Sequence, residues 1–468
     1  MTDLHMADAA DLAARVRARD ITAAEVARSA IARVRKRNPE VNAFTEVTEA
    51  RALQDAAAVD AKIAAGGDPG RLAGVPFAAK NLFDIAGVVT LAGSVIERRN
   101  APADADAFCV AQMRAAGAVC IGALNMDEYA YGFTTENAHY GPCRNPHDTG
   151  RIAGGSSGGS GAAVAAGLVP ISLGTDTNGS IRVPSSLNGV FGIKPTYGNL
   201  SRAGGVMFVP SLDHIGPFAR SVTDLATAYD VLLGHDPNDP AQARRAPAPV
   251  SQALPGGIGD LRVARLGGHF ARHGLPEAQM AADTVARALA GSETVELADA
   301  AAARAAAFLI TASEGANQHL ADLRERIDDF EPLTQNRLLA GALIPAQWLL
   351  HAQRLRALFR DQAAALFADW DILVAPATPT AATAIGQEML EADGATIPLR
   401  PNMGVYTQPI SCVGLPVLAV PVQNAAGTLP IGVQLIAAPW AEAKLFRAAA
   451  HLERAGMCAA PVAPAFRN

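Results

Sequence analysis

Apolar residues recur at helical spacing through residues 8–37, where Val26, Ile31 and Val34 follow Thr22 and Glu25. A threonine followed three residues later by glutamate has the spacing of a capping box, so the pattern predicts two helices here, with Pro39 as the stop. A further alanine-rich helix is expected over 43–64, ended by Ala65-Gly-Gly-Asp-Pro-Gly. From Leu72 onward the period changes, and strand-like apolar runs at 75–79, 119–123, 171–174, 190–194, 263–266, 372–375, 417–420 and 433–436 alternate with helical stretches such as 104–116 and 160–167. That alternation predicts an α/β protein with a mixed, mostly parallel central sheet covered by helices on both faces. The Pro- and Ala-rich segment 235–257 reads as an exposed linker. Residues 273–370 read as a helical insertion before the sheet resumes at Trp370-Asp-Ile-Leu-Val-Ala-Pro. No internal repeat is seen. Residues 1–468 therefore read as a single domain, with a core over about 65–235 and 370–445 and an insertion able to roof an active site.

Composition narrows the class. Half of the 468 residues are hydrophobic, aromatics make up only 5%, and alanine and glycine are abundant. Such a chain suits close packing of helices on a sheet through small side chains. A net charge of −6 offers no basic footprint for nucleic acid. The five cysteines show no CxxC spacing, which points to neither a zinc site nor a disulfide framework and fits a reducing, cytoplasmic setting. Ten histidines include no HExxH, so a protein-built metal site is not expected. Met-Thr-Asp-Leu-His carries no basic segment ahead of an apolar one, and apolar runs are broken before 18 residues, so neither a secretory leader nor a membrane span is expected.

The chemistry concentrates in two glycine-rich loops. Gly154-Gly-Ser-Ser-Gly-Gly-Ser is followed, after an apolar stretch, by Gly174-Thr-Asp-Thr-Asn-Gly-Ser-Ile-Arg-Val-Pro-Ser. Ser180 is expected in a loop at the carboxyl end of a strand, where α/β active sites lie. The backbone N–H groups of Thr177, Asn178, Gly179 and Ser180 are candidates to hold a developing oxyanion. A serine hydroxyl needs a base. Lys80 follows an apolar run, and burial there would lower its pKa toward neutrality. Ser156 is placed to relay a proton between Lys80 and Ser180, on a loop able to hold a non-proline cis peptide. The same loop matches G-x-S-x-G around Ser156 or Ser157, a weak signal in any glycine-serine loop. A P-loop is excluded because no Gly-Lys-Ser/Thr follows.

These residues, in order and spacing, resemble the amidase signature family over nearly the whole chain. The resemblance implies Lys80 as base, Ser156 as cis-serine, Ser180 as nucleophile, residues 177–180 as oxyanion hole, and Asp176 and Arg182 as a supporting ion pair. It also implies hydrolysis of a carboxamide through an acyl-enzyme without metal or organic cofactor. Asn178 stands where most members have glycine, and its tolerance of left-handed backbone would preserve the loop.

Two branches compete. Met126-Asp-Glu-Tyr, Thr135-Glu-Asn and Ser201-Arg-Ala-Gly resemble the glutaminase subunit of the tRNA-dependent aspartyl/glutamyl amidotransferase, but its Tyr-Tyr-Asp segment is replaced by Ala316-Asn-Gln-His-Leu-Ala-Asp. Segments 130–142, 176–184, 338–345, 399–402 and 407–411 instead resemble a branch acting on small carboxylated ureides of the 1-carboxybiuret type, in cyanuric acid (s-triazine) degradation. An oxalurate-like substrate is the neighbouring alternative. This branch implies a small helical partner subunit in a heterotetramer. Tyr131, Asn137, His139 and Tyr140 are candidates to line the pocket, and Arg324, Arg326 and Arg337 to close over a substrate carboxylate.

Overall fold

The computed structural model describes residues 4–422 and 429–468, so the first three residues of the segment read as lacking a leader lie outside it. Thr22 and Glu25 form the expected capping box. Thr22 Oγ1 accepts from Glu25 N at 3.1 Å, and Glu25 Oε2 accepts from Thr22 N at 2.8 Å. The helix Ala23–Val41 runs through Pro39 instead of stopping there. The proline sits in the last turn, where the missing N–H costs a single hydrogen bond. The helix ends when Asn42 turns left-handed (φ 51°).

The expected helix 43–64 is two elements. Phe44–Val47 is an edge strand paired antiparallel with Val119–Leu124, and the helix occupies only Glu49–Ala64. Here sheet pairing overrides local helix propensity.

Eleven strands form the central sheet. In spatial order they are Phe44–Val47, Val119–Leu124, Pro76–Lys80, Ile171–Asp176, His214–Ala219, Phe191–Lys194, Val417–Val422, Ile431–Ile436, Ile372–Pro376, Val263–Leu266 and Glu293–Val295. Helices pack along it, and the α/β class is as the alternation indicated. The balance of directions differs from expectation. Parallel pairing is confined to the two groups around Pro76–Lys80 and Val263–Leu266, and every pairing from Ile171–Asp176 across to Ile372–Pro376 is antiparallel. Two of these antiparallel pairings come from His214–Ala219, which inserts between Ile171–Asp176 and Phe191–Lys194. Its Gly216 and Pro217 are strand breakers by local rule, so the pattern hid it.

The insertion is helical at Pro276–Ala288, Ala300–Gln318, Leu320–Glu325, Pro332–Ala342 and Ala346–Asp369, but Glu293–Val295 returns to extend the sheet edge. The segment read as a linker has its longest continuous exposed run over 244–249, with buried residues interspersed on either side. Its first part is anchored: Ser201 Oγ donates to Asp236 Oδ2 at 2.7 Å, and Arg202 pairs with Asp239 at 3.0 Å. Among the described residues, no helix is long and apolar enough to cross a membrane.

Candidate active site

Lys80 ends the strand Pro76–Lys80, whose parallel neighbour Ile171–Asp176 leads directly into the loop carrying Ser180. Both strands thus deliver their carboxyl ends to one edge of the sheet. The serine-rich loop is fastened to the same place. Ser157 Oγ donates to Thr175 O at 3.1 Å and accepts from Thr175 N at 3.3 Å. Lys80 Nζ donates to Ser156 Oγ at 2.7 Å and to Thr175 Oγ1 at 2.8 Å. The Gly155–Ser156 peptide is cis. Gly155 is required by close approach: a Cβ there would lie 2.1 Å from Asp127 Oδ2 and 2.6 Å from Thr134 N.

Burial dominates the electrostatics. Lys80 is fully buried, and loss of hydration lowers its pKa to about 7 against the opposing pull of Asp127, Asp213 and Asp176. Asp176 and Arg182 form a buried, two-pronged ion pair, with Arg182 Nε and Nη2 each 2.9 Å from the carboxylate. Burial alone would raise Asp176, but the charge and hydrogen bonds of Arg182 hold it well below the usual carboxylate range. Asp176 Oδ2 also accepts from Ile181 N at 3.2 Å, which curls residues 177–181 back on the strand end. Arg182 is anchored further by Gln434 Oε1 at 2.7 Å and Thr407 O at 3.0 Å.

Within that curl, Thr177 Oγ1 donates to Asp213 Oδ1 at 2.6 Å and Thr407 Oγ1 donates to Asn178 O at 2.6 Å. Burial pushes Asp213 up to about 6, although the bonds from Thr177, Val209 and Phe208 oppose it. The left-handed residue of the loop is Gly179 (φ 143°), where a Cβ would meet Thr407 Oγ1 at 2.3 Å. Asn178 needs no such tolerance. Among the described residues, no hydrogen bond occupies the N–H groups of Thr177, Asn178, Gly179 or Ser180.

Ser180, 2% exposed, lines a small cleft. Tyr131, Phe133, Thr177, Asn178 and Phe208 line it from the sheet side, and Phe308, Thr311 and Arg337 from the insertion. Arg337 Cζ stands 4.2 Å from the centre of the Tyr131 ring.

The described geometry has counterparts in known proteins. The Amidase family model matches residues 25–446. This chain belongs to the amidase family. It is 55% identical to AtzE, the 1-carboxybiuret hydrolase subunit of Pseudomonas sp. (strain ADP), covering 93% of this amidase and 96% of that protein. It is 37% identical to a glutamyl-tRNA(Gln) amidotransferase subunit of Aromatoleum aromaticum (strain DSM 19018 / LMG 30748 / EbN1), covering 95% and 96%. A solved chain from a vestigial protein complex, described as revealing the origins of an s-triazine catabolic enzyme, superposes with TM-score 0.96 at 53% identity, covering 97% of this amidase and 99% of that chain. A 6-aminohexanoate cyclic dimer hydrolase superposes with TM-score 0.87 at 31% identity over the whole of both chains.

Not every residue singled out in the sequence reaches the cleft of this amidase. Tyr131 and Arg337 do. Asn137 is fully hydrogen-bonded to surrounding backbone, donating to Gly93 O and Met126 O and accepting from His139 N and Tyr140 N. His139 Nε2 lies 3.0 Å from Glu128 Oε1, and Tyr140 donates to Ser94 O. Arg324 is exposed, and Arg326 is held by Asp329 at 2.9 Å. Arg324 faces outward because Leu323 takes the buried position of its short helix, and Arg326, just past that helix, also donates to Ile96 O at 3.3 Å.

One cluster behind the cleft went unread in the sequence. Arg400 Nη2 donates to Asp127 Oδ1 at 2.9 Å and to Glu331 Oε1 at 3.3 Å, tying the loop behind Gly155 to the insertion. Beside it, burial and the charge of Glu331 push Glu128 up to about 8 despite the bonds it accepts from Ser94 and Glu331 N–H. Arg400 was visible only as part of Leu399-Arg-Pro-Asn, since nothing local links it to Asp127.

Proposed function

We propose that this amidase, acting as one catalytic unit, hydrolyses the terminal C–N amide bond of a small carboxylated ureide of the 1-carboxybiuret type and releases ammonia. The observation that carries the chemistry is the 2.7 Å contact of Lys80 Nζ with Ser156 Oγ, in a setting that leaves the lysine substantially unprotonated at neutral pH. The neutral amine accepts the Ser156 hydroxyl proton while Ser156 takes that of Ser180. Ser180 Oγ then bonds to the substrate carbonyl carbon, and the N–H groups of residues 177–180 stabilise the oxygen that becomes negative. Collapse breaks the C–N bond, and the proton returns through Ser156 to the leaving nitrogen, which departs as ammonia. Water repeats the sequence on the acyl-enzyme and regenerates Ser180. Asp176 and Arg182 shape the loop.

The substrate class is supported by the relative from Pseudomonas, which bears the name of a 1-carboxybiuret hydrolase, and by Arg337. Its guanidinium lines the cleft, makes no ion pair among the described residues, and has a buried Nη2 without a hydrogen-bond partner. A substrate carboxylate would satisfy it. We further read the protein as working in a cytoplasmic heterotetramer with a small helical partner, in s-triazine breakdown. The assembly is supported by the neighbour's origin in a protein complex and by the relative's being one subunit of its enzyme, and five free cysteines suit a reducing compartment.

Ammonia release from 1-carboxybiuret, biuret, oxalurate, simple amides and glutamine tests the reading. The assay is run with and without a co-expressed small helical partner, and Ser180→Ala serves as blank. Turnover of a carboxylated ureide and none of glutamine is expected. Turnover of glutamine alone would replace this reading with a glutaminase.

A further inference from the structure

Asn178 is 7% exposed and lies two residues before Ser180, on the wall of the same cleft. Its Nδ2 donates to Thr311 Oγ1 at 2.8 Å, a hydroxyl on the helix Ala300–Gln318 of the insertion. Its backbone carbonyl is held by Thr407 Oγ1. With both ends of the residue fixed, the side-chain carbonyl oxygen is left buried without a hydrogen-bond partner. A buried acceptor in that state is costly and calls for a donor. The other polar groups facing the cleft near Ser180 are chiefly donors: the Arg337 guanidinium and the backbone N–H groups of the 177–180 loop. These match a substrate's carboxylate and reacting carbonyl oxygen, and leave a substrate N–H to be matched by an acceptor. In a ureide the atom next to the reacting carbonyl is an N–H; in an ordinary carboxamide it is a methylene.

We infer that Asn178 Oδ1 accepts a hydrogen bond from the ureide N–H flanking the carbonyl that Ser180 attacks, which makes Asn178 the residue that selects ureides over plain carboxamides. This rests on the substrate class proposed above. Thr311 is a positioning residue that orients the carboxamide by taking its N–H.

The test compares 1-carboxybiuret with glutaramate, which keeps a carboxylate and a terminal amide at the same spacing but has three methylenes in place of the NH–CO–NH chain, so that the atom next to the reacting carbonyl is a methylene. Glutaramate is followed as a substrate or, if its turnover is slow, through its Ki as a competitive inhibitor. Asn178→Ala is expected to lower kcat/KM for 1-carboxybiuret at least about tenfold more than it weakens glutaramate, with KM carrying much of the change. Thr311→Val, checked for folding by its melting temperature, should shift selectivity in the same direction by a smaller factor and decides the question if Asn178→Ala does not fold. Equal losses on both compounds, or no loss on 1-carboxybiuret, would overturn the assignment while leaving the substrate class standing. A wild-type enzyme that hydrolyses glutaramate but not 1-carboxybiuret would remove the substrate class and this inference with it.

Discussion

Arg182 closes on Asp176 through two N–H···O bonds of 2.9 Å each, with both side chains fully buried. Removing one member strands a charge in the interior, so Arg182→Ala should cost roughly 3–5 kcal/mol. Thermal melting would register this as a large fall in Tm. Arg182→Lys should recover only part of it, because an ammonium cannot span both carboxylate oxygens and also reach Gln434 and Thr407.

The proposed serine relay predicts that Ser180→Ala is inactive and Lys80→Ala slower by orders of magnitude in ammonia release, with Ser156→Ala between or equal to them. Wild-type rates in Ser180→Ala or Lys80→Ala would end the mechanism.

The pH dependence follows from Lys80. As the proposed base the amine is competent only when neutral, and burial lowers its pKa to about 7. Thus kcat/KM should rise with pH through about 7 and fall about tenfold per unit well below it. Stability carries the same signature. Between about 7 and the ordinary lysine value of 10.5, the unfolded chain binds the proton that the folded chain has lost, so folding stability gains from this group as pH rises. The Tm of the wild type relative to Lys80→Met should therefore increase between pH 7 and 9, and a flat difference would contradict the lowered value.

Arg337→Met should raise KM for a carboxylated ureide by about ten- to a hundredfold and affect a neutral amide far less, since it removes the cation of the cleft and keeps a similar volume. Arg324→Ala and Arg326→Ala, which alter an exposed and an ion-paired side chain, should leave both constants near wild type. Steady-state kinetics on the three variants separates the cases.

At Gly155, a Cβ would sit 2.1 Å from Asp127 Oδ2. Gly155→Ala should lower Tm and activity together, because the serine loop cannot move off Asp127 without moving Ser156. Unchanged melting and rate would show that the loop yields.

Much of this protein was legible in its sequence because the signals are local. Strand at 263–266, the Thr22–Glu25 cap, and the glycine and serine spacing around Ser156 and Ser180 each depend on residues a few positions apart. Lys80, Ser156 and Ser180 could be named on residue type and order, and burial of the lysine followed from the apolar run before it. Tertiary structure decided the rest. His214–Ala219, with its glycine and proline, is a central strand only because its neighbours pair with it on both sides. Among seven polar side chains suspected of binding substrate, packing alone turned Tyr131 and Arg337 into the cleft, spent Asn137, His139 and Tyr140 on hydrogen bonds to neighbouring segments, left Arg324 exposed and tied Arg326 to Asp329. Arg400 meets Asp127, and Asn178 meets Thr311, across long stretches of chain that no periodicity connects. Local spacing sets an element and its chemistry, whereas the partner a polar side chain finds depends on which distant segment the folded core brings against it.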